Sequence, residues 1–205
     1  MELPSDVHPD RYRLLPELVP LLQALTPLSP PHRLAFALAC SERLYPTFAL
    51  HARVTGLADP IQPLLTRLWL DVLGDTLSPL AALSQQRHVM AFDPGDDTLD
   101  TFEDAVDALS AIYSALQVCE TGSPHHAVTA AEVIINNADY HAAEAIGEHH
   151  GPALATSPPG LEAQVIAHSI MLRATTFLTA TLETLRGAPV SPATVGVLNR
   201  LASAA

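Results

Sequence analysis

Leu34-Ala35-Phe36-Ala37-Leu38-Ala39-Cys40 is the stretch that decides the fold. None of its side chains is polar, so a helix built from it is apolar on every side. Only the centre of a helical bundle can bury such a helix. The strict alternation and β-branched bias of a strand are missing here and in the rest of the chain.

Outward from this segment the punctuation is helical. Ser or Asp followed by Pro recurs at Ser29-Pro30, Asp59-Pro60, Ser78-Pro79, Asp93-Pro94, Ser123-Pro124, Ser157-Pro158 and Ser191-Pro192. The first residue of each pair can accept a hydrogen bond from an orphan first-turn amide, and proline at the first helical position gives up an N–H that had no partner. Asp59-Pro60-Ile61-Gln62 adds the capping-box spacing. Gly56, Gly74, Gly122 and Gly187 stand where helices can stop. Apolar residues then recur at three- and four-residue steps: Ile61, Leu65, Leu68 and Val72; Leu99, Phe102, Val106, Leu109, Tyr113 and Leu116; Met171, Ala174, Leu178, Leu182 and Leu185. Together these signals predict helices near 10–25, 31–45, 47–55, 60–73, 79–91, 98–120, 124–147, 159–186 and 192–203. Pro16 and Pro20 interrupt the first of them. The expectation is one all-α domain over residues 1–205, a bundle of about eight or nine helices. Residues 1–28 would be a Pro-interrupted N-terminal segment, and residues 148–159 a flexible loop among Gly151, Pro152 and Pro158.

Composition excludes several functions. Hydrophobic residues reach 48% and charged residues only 16% of the 205, which leaves more apolar helix surface than a small core needs. That points to self-association, a dimer first. The net charge of −12 opposes nucleic acid and anionic membranes. No lysine occurs, so neither a Schiff base nor a P-loop is available. The start has no basic and apolar leader, and the charge-free stretch Leu18–Pro31 holds four prolines, too broken to span a bilayer. Cys40 and Cys119, far apart, read as reduced thiols of a cytoplasmic protein.

The central segment also carries a family likeness. Leu34 to Phe48, with Ser41-Glu42-Arg43, Leu44 and Tyr45-Pro46-Thr47-Phe48, resembles the signature of the YjaG-like bacterial family, domain of unknown function 416. That signature runs from a phenylalanine-led apolar helix into Cys-Glu-Arg, a spacer and Tyr-Pro-Asn-Tyr, then a glycine loop and a Trp-bearing helix. Gly56 and Trp69 stand in the matching places, and the likeness extends over roughly residues 30 to 150. Ser41 replaces the usual cysteine, Thr47 the asparagine and Phe48 the tyrosine, so neither that thiol nor that phenol carries over. The resemblance implies an α-helical fold, with Glu42, Arg43, Tyr45, Pro46 and Trp69 as motif residues. It implies no activity, catalytic residue or cofactor.

Three groupings could carry chemistry. Glu42 and Arg43, at the end of the apolar helix, could line a small-molecule pocket with Arg43 holding an anion. The plainer reading is that they satisfy each other and the last carbonyls before Pro46, with Arg173 joined through Asp104 or Asp107. Asn137, His141, Glu144 and Glu148 share one helix flank, with His149 and His150 beyond, and imidazole beside carboxylates suits a transition metal. The flank has a single copy in the order His-x-x-Glu, unlike the paired Glu-x-x-His of di-iron bundles, so a solvated flank is the plainer reading. Asp93, Asp96, Asp97, Asp100, Glu103, Asp104 and Asp107 form an acidic run without calcium-loop order, as expected where carboxylates crowd a helix start.

Overall fold

The computed structural model describes residues 18–74, 85–86, 88–89, 92–95, 97–150 and 161–204. Among these are eight helices and no strand, an all-α fold: α1 Val19–Leu25, α2 Pro30–Thr55, α3 Ile61–Gly74, α4 Phe102–Thr121, α5 Pro124–His150, α6 Leu161–Ala167, α7 Ser169–Gly187 and α8 Pro192–Ser203. No described helix is long and apolar enough to cross a membrane.

Helix α2 is the spine, packing on α3, α4, α5, α7 and α8. Every residue from Leu34 to Cys40 is wholly buried, as an all-apolar helix demands. Its main partner is α4, and both helices carry fully buried alanines: Ala35, Ala37 and Ala39 on α2, and Ala105, Ala108, Ala111 and Ala115 along one face of α4. Small side chains let two backbones approach closely and keep helix propensity high. The stripe expected on this helix was therefore misplaced. Leu109 and Leu116 are buried, but Leu99, Phe102, Val106 and Tyr113 are only partly so. Weighting large residues hides a face made of alanine.

Several helix ends follow their sequence signals. Asp59 Oδ1 accepts from the amides of Ile61 (2.9 Å) and Gln62 (3.2 Å) at the start of α3. Ser123 Oγ accepts from His125 N (3.2 Å) and Ser191 Oγ from Thr194 N (3.2 Å). Gly56 (φ 73°) and Gly122 (φ 65°) end α2 and α4 in the left-handed conformation. Arg33 closes two helix ends at once. Its Nε and Nη2 donate to the carbonyls of Leu25 (3.1 Å) and Thr26 (2.5 Å), while Nη1 donates to Gly122 O (2.6 Å).

Other boundaries differ from expectation. The helices expected at 31–45 and 47–55 are one helix running through the exposed Pro46. Proline there removes one hydrogen bond to the Glu42 carbonyl, but the burial of α2 on both sides outweighs that loss. The helix expected at 159–186 is two, because His168 is extended and its side chain accepts from Ile170 N (3.4 Å), starting α7 afresh. Asp93-Pro94 starts no helix: Asp93 Oδ1 accepts from Gly95 N (2.8 Å) in a turn, and α4 begins only at Phe102. Helix α5 continues to His150, into the segment expected to be a loop from 148. Residues 151–160 and most of the helix expected at 79–91 lie outside the described residues, as do Ser78-Pro79, Ser157-Pro158, Asp96 and residues 1–17.

Candidate functional site

Glu42 and Arg43 do not pair. Consecutive residues on a helix point about 100° apart, and the two side chains go to different neighbours. The half-buried Glu42 accepts from Trp69 Nε1 on α3 at 2.9 Å. Burial pushes its carboxyl above the ordinary range, against the Trp69 hydrogen bond. Three residues on, Tyr45 Oη donates to Asp59 Oδ2 at 2.6 Å. The phenol is pushed up to about 12, by burial first and then by the Asp59 carboxylate. Asp59 thus serves two clients, the cap of α3 and the Tyr45 phenol, and with Glu42–Trp69 it fastens α3 onto α2.

Arg43 turns the other way, towards α7. Its guanidinium carbon stands 4.7 Å from the centroid of the Phe177 ring, a cation–π seat. Burial lowers its pKa, the nearby Cys40 sulfur opposes this, and the positive charge of Arg173 lowers it further. Arginine stays protonated regardless, so Arg173 acts on Arg43 as a like charge. The expected network through Asp104 or Asp107 does not form. Among the described residues the one arginine–carboxylate ion pair is Arg67–Asp71 (3.0 Å). Arg43 is half-buried and Arg173 exposed, neither sealed from solvent.

Asp104 and Asp107 belong instead to α5. Asn137 Nδ2 donates to Asp104 Oδ1 (2.8 Å) and Asp107 Oδ2 (3.0 Å), and His141 Nε2 meets Asp104 Oδ1 at 2.7 Å. His141 Nδ1 lies 3.5 Å from Glu144 Oε2. Burial alone would lower the imidazole pKa, but the hydrogen bond and charge of Asp104, with Glu144 behind them, raise it above the ordinary histidine value. Burial also raises Asp107, and the neighbouring Asp104 and Glu103 charges add to this. Both ring nitrogens of His141 thus face carboxylates, Asp104 on one side and Glu144 on the other. No group of three or more His, Cys, Asp or Glu that could hold a metal occurs among the described residues. The side chains of Glu148, His149 and His150 lie outside them.

The departures from the family signature are absorbed by packing. Ser41 is fully buried and donates to Ala37 O (3.0 Å), Thr47 Oγ1 bonds Leu44 O (2.6 Å), and Phe48 is buried with its ring 5.6 Å from that of Phe92. Cys40 and Cys119 are free and buried, their thiols pushed up by burial, Cys119 to about 11. An open depression of about 400 Å³ over α3 is lined by Gln62, Pro63, Thr66, Arg67 and Leu70, all from one helix. Sequence reading missed three residues. Phe177 carries no signal linking it to Arg43. Asp59 was read only as a cap. His51 is wholly buried, with Nε2 2.6 Å from Pro94 O and Nδ1 2.8 Å from Thr101 Oγ1. A carbonyl only accepts, so Nε2 donates to Pro94 O, while Nδ1 bonds the Thr101 hydroxyl, tying the segment before α4 to α2.

Comparison with known proteins adds a family and a fold. The DUF416 family, described as a protein of unknown function, matches residues 20–181, more than the stretch that carried the sequence likeness. A solved structure, a DUF416 family protein from Shewanella baltica OS155, is similar at a TM-score of 0.70 and 20% identity, covering 89% of this chain and 93% of that one. No curated protein matches.

Proposed function

The chain belongs to the DUF416 family, which supplies no activity, and from its own surface we propose that it is a non-catalytic cytoplasmic protein acting through association of two copies. One observation carries this reading. Pro46, Leu50 and Val54 recur at four-residue steps on the outer side of α2, with Leu50 40% and Val54 59% exposed. From Tyr45 to Gly56 the chain has no acidic residue, and Arg53 is the sole formal charge. Two copies of a chain carrying −12 repel one another almost everywhere, but not along this strip. Large apolar side chains in line on an uncharged helix face are the expected anchor of a two-fold contact. The buried free thiols of Cys40 and Cys119 suit a reducing compartment.

Light scattering during size exclusion tests it. At micromolar concentration the protein is expected to have the mass of a dimer. Leu50→Asp with Val54→Asp, both at exposed positions, should give a folded monomer. A wild-type mass of one chain at every concentration up to about 100 µM would refute the reading.

A further inference from the structure

We infer that Arg43 and Arg173, on the seam of α2 and α7, form a binding site for a small oxyanion, the phosphate or carboxylate group of a soluble metabolite. The two helices run antiparallel: His32 Nε2 meets Ala188 O (3.2 Å) at one end, and Arg43 lies over Phe177 further along. Phe177 lies one turn beyond Arg173 on α7, so Arg173 stands on the flank of α7 that seats Arg43, and its charge acts on Arg43. A guanidinium seated over a ring by its charge still has N–H donors to offer a bidentate oxyanion. The face of α7 that holds Phe177 continues one turn on to Thr181, whose wholly buried hydroxyl has no hydrogen-bond partner.

Charge makes the pair unusual. The chain has 22 acidic residues against 10 arginines, yet among the described residues neither of these two guanidinium groups pairs with a carboxylate. A half-buried arginine within reach of a second positive charge is held more favourably with an anion between them. A partner carboxylate from the chain would have removed that demand permanently, whereas a diffusible anion can come and go. Arg43 lies on the same flank of α2 as Pro46, Leu50 and Val54, so the site and the strip adjoin, and titration and light scattering read them separately.

Isothermal titration at constant ionic strength tests it, with inorganic phosphate in one arm and citrate in the other. Saturable binding in either arm is expected, and the arm that binds more tightly identifies the oxyanion. Arg173→Gln should weaken binding about tenfold and Arg43→Gln by more, the loss of one and of the better-seated charge-assisted contact. Arg200→Gln, an exposed change on α8, should leave binding unaltered. Arg173 is exposed, so its variant keeps the test sound even if Arg43→Gln folds poorly. No saturation by either anion, or wild-type affinity in Arg173→Gln, overturns the site. Light scattering read separately would still report the dimer.

Discussion

Glu42 illustrates how one residue is held by a partner the sequence does not advertise. Its adjacency to Arg43 suggested an ion pair, but helix geometry separates neighbours in sequence, and its acceptor role went to Trp69, 27 residues away. Because burial disfavours the charged carboxylate, Glu42→Gln keeps an acceptor for the indole and removes the desolvation. It is expected to match or slightly exceed wild-type stability at pH 7. Trp69→Phe leaves a half-buried carboxylate without its donor and should cost about 2 kcal/mol or more. Denaturant unfolding followed by circular dichroism compares the two, and the reverse ranking would show that the charge of Glu42 matters more than its hydrogen bond. Arg43 was legible as a residue with a possible anion to hold. Its seat on Phe177 was not, because the contact joins two helices whose register no local pattern encodes.

At the scale of the element, α4 and α5 are clasped by His141, Asn137, Asp104 and Asp107. The Asp104 and Glu144 carboxylates favour the protonated imidazole, so its folded pKa lies above the unfolded value. A raised pKa contributes stability that is complete below about pH 6.5, the unfolded histidine value. That contribution is lost as the pH rises through the higher folded value. The difference in thermal midpoint between wild type and His141→Gln should therefore shrink from pH 6 towards pH 9. A difference that grew with pH would mean that the imidazole is held neutral. The acidic run and the histidine flank were both visible in the sequence as separate candidates. That they neutralise one another across two helices became visible only once α4 and α5 were packed together. The same holds for α2, whose proline read as a boundary because the local rule carries no knowledge of how much burial lies on either side.

For the whole molecule, the helical class was legible because start and stop chemistry is local: Asp59, Ser123, Ser191, Gly56 and Gly122 act within a turn of themselves. What stayed hidden is non-local, namely the packing of α2 on α4 and the arginine clamp at two helix ends. Arg33 reaches Gly122 across 89 positions of sequence, while its other donors hold Leu25 and Thr26. Closing so long a loop demands chain entropy, so this clamp belongs late in the folding reaction, after α2 and α4 have met. In Arg33→Met the refolding rate should stay near wild type, while unfolding accelerates roughly tenfold or more as the last knot slips first. Stopped-flow mixing separates the two rates, and a refolding rate that fell instead would move Arg33 into the nucleus. The guanidinium that finishes two helices then acts as a latch on the lifetime of the native state.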